Sequence, residues 1–124
     1  MKIIDLIQEI DGELLNKDAN LDKDARGGFA ADLMSDVLAS IQPESILVTG
    51  LSNPQVVRTA VMADISAIVL VRGKKPPQET VDLAKEERIP LISTSLGMYQ
   101  VCGKLFHAGL PSFENNCHEI FRPE

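Results

Sequence analysis

Apolar residues recur along this chain in two rhythms. Over residues 3 to 10 (IIDLIQEI), Ile3, Leu6, Ile7 and Ile10 share one helical face, and Gly12 is placed to end that helix. Residues 13 to 16 predict a short strand, 17 to 24 a charged loop, and 25 to 31 a short strand with a Gly-Gly bend. Residues 32 to 40 (DLMSDVLAS) predict a helix with Leu33, Met34, Val37 and Leu38 inward, Asp32, Ser35 and Asp36 outward, and Asp32 as N-cap. From residue 45 the pattern becomes regular. Short apolar runs at 45–48, 67–71 and 89–92 read as strands, and amphipathic segments at 54–63, 77–87 and 95–108 read as helices. The helix at 77–87 turns Glu79, Asp82, Lys85 and Glu86 outward. Asn53 is placed to cap the 54–63 helix, with Pro54 at the first helical position, where its missing N–H costs nothing. Residues 1–110 form the expected domain, and 111–124 read as a tail with little order of its own.

The order from 45 to 108 is β-α-β-α-β-α, with strands apolar on both faces. Such strands belong to a parallel sheet covered by helices on both sides, joined by right-handed crossovers. The expected fold is therefore an α/β three-layer sandwich with a mostly parallel sheet. Ligands of such sheets bind at the carboxyl ends of the strands, beside helix N-termini. Three loops gather at that edge: 49–53, 72–76 and 93–95.

A length of 124 residues gives room for one core, and 44% apolar with 24% charged residues suits a globular domain. With five aromatics and no Trp, that core must be aliphatic. A net charge of −6 with no basic stripe argues against nucleic acid, whose phosphates are bound through Lys and Arg. Cys102 and Cys117 are too few for a disulfide framework. Acidic residues interrupt the apolar N-terminus, so it does not read as a signal peptide. No apolar run approaches the roughly 20 residues that span a bilayer. The expected compartment is a reducing cytoplasm.

The edge loops carry the candidate chemistry. TGLSNP at 49–54 has one glycine and no lysine, so it is neither a nucleotide-hydrolysing phosphate loop nor a dinucleotide fingerprint. Gly50 permits a positive φ, while Ser52 and Asn53 can cap a helix or face a polar ligand. RGKKPP at 72–77 places Arg72, Lys74 and Lys75 just after a strand, either as a solvated turn or as a seat for a phosphate or carboxylate. Ser93, Thr94 and Ser95 offer hydroxyls that cap or bind. Asp32, Ser35 and Asp36 form a polar face without a third convergent ligand, and a solvated surface is favoured there. Cys102 with His107, and Cys117 with His118, have the wrong spacing for a zinc site, and Cys102 reads as a core residue. No nucleophile, base and orienting group can be assembled from the sequence.

The stretch from VTGLSNPQVVRTA through VLVRGKKPP and RIPLIST to MYQVCGKL resembles a DRTGG domain, as does the earlier GGFAADLMSDVL. The likeness covers nearly the whole chain to about residue 110 and rests on the order of segments. It implies a sandwich similar to the N-terminal domains of HPr kinase/phosphorylase and of Mur ligases, and a likeness to part of some phosphotransacetylases. Such domains also accompany CBS domains in regulated pyrophosphatases, as regulatory, ligand-sensing or dimerising modules. Stand-alone versions resembling this chain occur in anaerobes, some beside components of iron-only hydrogenases. The residues that give the family its name are altered here. The Asp-Arg pair falls at Leu51-Ser52, and Thr-Gly-Gly at Val71-Arg72-Gly73.

Together these readings predict a non-catalytic domain, most simply a homodimer. It would take a small anionic metabolite or nucleotide at Gly50, Ser52, Asn53, Arg72, Gly73, Lys74 and Thr94, with no cofactor and no metal. The alternatives are a pure protein-interaction module, docking through Met98, Tyr99, Leu105 and Phe106, and a phosphate-handling enzyme.

Overall fold

The computed structural model describes residues 1–17 and 19–114. Five helices and five strands alternate as α1 (Ile3–Glu9), β1 (Glu13–Leu14), β2 (Gly27–Ala30), α2 (Met34–Ser40), β3 (Ser45–Thr49), α3 (Pro54–Met62), β4 (Ala67–Leu70), α4 (Gln78–Glu86), β5 (Leu91–Ser93) and α5 (Met98–His107). The strands form one sheet in the order β1-β5-β4-β3-β2. β2 to β5 are parallel, and β1 closes the far edge antiparallel, with Glu13 opposite Ser93. The α/β three-layer sandwich with a mostly parallel sheet is thus the observed architecture.

Strand alternation divides the core into two layers. Ile46, Val48, Val69 and Ile92 face Ile3 and Leu6 of α1 and Val101 and Leu105 of α5. Leu47, Ile68, Leu70 and Leu91 face Val37 of α2, Val56 and Ala60 of α3, and Ala84 of α4. Every residue of β3 and β4 is buried, which is why residues 46–48 and 67–70 are apolar throughout rather than alternating. Asn16 pins the antiparallel edge. Its side chain, 2% exposed, donates to the Ile89 carbonyl at 2.6 Å and accepts the Leu91 N–H at 2.8 Å.

Helix ends depart from expectation in ways that matter for the edge. α1, α3 and α4 end in left-handed residues that are not glycine: Asp11 (φ 53°), Asp64 (φ 55°) and Arg88 (φ 59°). Each is followed by an N–H that reaches back into the last turn, as Gly12 does to Ile7 at 2.8 Å. Gly12 therefore follows the turn-making residue and is not itself that residue. α2 starts at Met34 with Leu33 in the cap position and no side-chain cap, so Asp32 is not its N-cap. In this two-turn helix Val37 is buried while Leu33 and Leu38 are exposed, against the expected inward face. α5 starts at Met98 rather than 95, because residues 94 to 97 are held as a loop. Asn53 does occupy the cap position of α3, without a side-chain cap bond.

Of the expected tail, residues 111–114 lie along β2. The Gly28 N–H donates to the Pro111 carbonyl, the Phe113 N–H donates to the Gly28 carbonyl, and the Gln42 N–H donates to the Phe113 carbonyl, at 2.8 to 3.1 Å. Phe113 packs on Gly27, where a Cβ would meet the ring at 2.3 Å, and the Arg26 guanidinium stands 5.7 Å from the ring centre. Cys117 and His118 lie outside the described residues.

Candidate functional site

The parallel strands are ordered without a reversal, so no crevice opens between oppositely wound halves of the sheet. The edge at the carboxyl ends of β2 to β5 is shaped instead by two loops tied to each other. After β4 the chain makes a tight turn through two left-handed residues, Arg72 (φ 61°) and Gly73 (φ 65°). The turn closes from the Lys74 N–H to the Val71 carbonyl at 3.4 Å. Its remaining N–H groups are used too: Arg72 donates to the Leu96 carbonyl at 2.7 Å, and Gly73 to the Thr94 carbonyl at 2.8 Å. The β4–α4 and β5–α5 loops are therefore one unit, and what the turn presents outward is side chains.

Those side chains are cations. Among the described residues, Arg72, Lys74 and Lys75 have no carboxylate oxygen within 4.0 Å; the ion pairs present are Lys2–Asp24 and Arg26–Glu44. A left-handed arginine is strained, because its Cβ crowds the backbone at positive φ. Such strain clusters where a side chain has to be aimed.

The seven residues expected at the site are distributed over this edge. Gly73, Lys74 and Thr94 line an open groove of about 790 Å³ between the end of β5 and the start of α4, whose far wall carries Asp11 and Glu13. Arg72 points to the other side, into a depression of about 630 Å³ beside the first turn of α5. Gly50 lies under Arg72: a Cβ there would stand 2.8 Å from Nη1. Gly50 is not in the left-handed region, which among glycines is adopted by Gly73 and Gly109; its value is close approach, not positive φ. Ser52 and Asn53 sit at the start of α3 and line neither concavity. Their side chains make no hydrogen bond among the described residues, and the Ser52 carbonyl accepts from Thr80 Oγ1 at 2.8 Å. Thr94 is 2% exposed. Its hydroxyl donates to the Ile10 carbonyl at 2.8 Å and accepts the Leu96 N–H at 3.2 Å, so its proton is committed inside the fold.

One residue at this edge was read from the sequence as a helix cap or a solvated face. Asp32, from the β2–α2 loop, reaches across to the end of β3. Its Oδ1 accepts the Gly50 N–H at 2.7 Å and Thr49 Oγ1 at 3.1 Å. This leaves Oδ2 without a hydrogen bond, close to the Arg72 guanidinium but not paired with it. No spacing rule foretells a partner 18 residues away.

Cys102 is half-buried and lines the same depression as Arg72, rather than sitting fully in the core. Burial pushes its thiol above the ordinary value, against a smaller opposing pull from its backbone hydrogen bond. A thiol so placed stays protonated near neutral pH and is a poor nucleophile. Farther along α5, Tyr99 and Phe106 flank an apolar groove of about 430 Å³ that runs to Leu110 and Pro111. No helix among the described residues is long and apolar enough to cross a membrane.

The fold and its rim define a small α/β/α sandwich domain whose sheet edge carries a cationic turn without an ion pair among the described residues. A family model for the DRTGG domain matches residues 5–108, and the chain belongs to that family. No curated protein matches the sequence. Among solved structures, the fold is similar to the CBS and DRTGG domains of the regulatory region of Clostridium perfringens pyrophosphatase, a crystal structure complexed with its activator, diadenosine tetraphosphate. The TM-score is 0.67 at 14% identity, over 89% of this chain and 47% of that one. The chain thus spans about half the length of that regulatory region.

Proposed function

We propose that this DRTGG domain is a non-catalytic, ligand-sensing regulatory module. It binds a small anionic metabolite or nucleotide at the C-terminal edge of its sheet and transmits binding as a change in affinity for a partner, including a second copy of itself. The observation that carries this is the turn at 72–75: three cations with no ion pair among the described residues, on a protein of net charge −6. Arg72 and Lys74 supply the charge. Gly50 lets the guanidinium lie against the backbone, and Ser52 and Asn53 offer unused side-chain donors beside the start of α3. The Gly73 N–H and the Thr94 backbone carbonyl hold the turn in shape. The nucleotide activator bound to the pyrophosphatase regulatory region supports the ligand class, and coupling between ligand and partner is typically worth about 1–3 kcal/mol.

A thermal-shift panel of nucleotides, acyl phosphates, nicotinamide cofactors and divalent cations tests this. A ligand at a hundred times its dissociation constant adds about 2.7 kcal/mol, and that shift is expected to vanish in the R72A/K74A double variant. A flat panel, or a shift unchanged in the double variant, would overturn the proposal.

A second reading, a pure interaction module, is favoured by the apolar groove beside α5, where Phe106 is 72% exposed. Large exposed apolar side chains beside a groove mark contact surfaces. Sedimentation at micromolar concentration decides whether this surface pairs two copies, with F106A expected to shift any dimer toward monomer.

A further inference from the structure

Arg72 and Tyr99 line one depression of about 630 Å³, a volume within the range of small-molecule sites. They arrive from different elements, Arg72 from the turn after β4 and Tyr99 from the first turn of α5. The Arg72 N–H bond to the Leu96 carbonyl ties the turn to the loop that leads into α5. Tyr99 is 93% exposed. It is the sole tyrosine of a chain without tryptophan, so a large aromatic spent on solvent stands out. At the other end, the guanidinium lies over Gly50; the Asp32 carboxylate nearby is not part of the depression's lining.

A cation and a flat aromatic face lining one depression match a ligand with the complementary parts: an anionic group and a planar ring. We infer that the depression takes a nucleoside monophosphate, with the phosphate on Arg72 and the base stacked on Tyr99. This narrows the proposed anion site and rests on it. Lys74 and Lys75, on the far side of the turn, are not part of this subsite. Stacking accepts any base, because every base has a π-face, so AMP and GMP bind within a few-fold of each other.

Calorimetric titration of the full chain with AMP and with inorganic phosphate tests the assignment. AMP is expected to bind at least tenfold more tightly than phosphate. Y99A removes about that tenfold and leaves phosphate binding unchanged, Y99F retains AMP affinity, and R72A weakens both ligands. Tyr99 is exposed, so its variants are expected to fold, and a circular dichroism melt checks this. Phosphate binding without an AMP advantage overturns the nucleotide assignment alone. Unchanged AMP affinity in Y99A, with loss of a dimer by sedimentation, also overturns it and assigns the ring to an interface. Failure of both ligands to bind the wild type overturns the anion site as well.

Discussion

Replacing Arg72 with glycine separates what the residue costs the fold from what it offers a ligand. At φ 61° the arginine occupies a conformation that glycine adopts without strain. Left-handed backbone costs an L-residue about 1–2 kcal/mol, and the extra freedom glycine gives the unfolded chain returns about 0.4–1 kcal/mol of that. The side chain has no ion pair among the described residues to lose, and the backbone bond to Leu96 is available to any residue there. R72G is therefore expected to stabilise the domain by about 0.5–1 kcal/mol, a rise of about 2–4 °C in Tm for a chain of this size. R72A keeps the strain and is expected to stay within about 0.5 kcal/mol of wild type. Both should lose affinity for inorganic pyrophosphate. The chain has no tryptophan, so urea unfolding is best followed by far-ultraviolet circular dichroism, with pyrophosphate affinity measured on the same samples. Stability rising while binding falls is the mark of a residue held in strain for function. If R72G proves no more stable than R72A, the strain argument is wrong.

Three further substitutions test the framework around the edge. N16A strands the Ile89 carbonyl and the Leu91 N–H in a buried place and should cost about 2–4 kcal/mol in urea unfolding; a loss below 1 kcal/mol would mean that β1 is not pinned there. T94V removes the bonds to Ile10 and Leu96 and should cost about 1–3 kcal/mol, with pyrophosphate affinity per folded molecule unchanged, since that hydroxyl proton does not face solvent. Thr59 is buried on α3, and its Oγ1 lacks a hydrogen-bond partner among the described residues. T59V keeps its shape and should raise stability by about 0.5–1 kcal/mol; destabilisation would indicate a partner for the hydroxyl.

Much of the fold was legible because its signals are local. The apolar runs at 46–48 in β3 and 67–70 in β4 and the helical periodicity of α1, α3 and α4 are patterns within ten residues, and the elements appear within a few residues of their expected ends. α2 was harder to read: its two turns carry four apolar residues, and only Val37 is fully buried. The site was legible as a set of loops but not as a geometry. Composition marked Arg72 and Lys74, yet not that one turn sends them into separate concavities. The contacts of Asp32 and Thr94 are not legible from local spacing, because each side chain is decided by a partner far away in sequence, Gly50 for one and Ile10 for the other. Nothing in the spacing of Gly27 and Phe113 announces that the ring needs a residue without a Cβ beneath it.

The claim that the sheet edge is an anion site is tested most directly by titrating ¹⁵N-labelled protein with inorganic pyrophosphate and following the backbone amides by NMR. The account predicts saturable shifts concentrated at residues 50–53 and 72–75, weakened by added salt because exposed charges are screened, and abolished in R72A/K74A. Amides that stay still to millimolar pyrophosphate, or shifts that gather along α5 near Phe106 and leave the edge untouched, would contradict it.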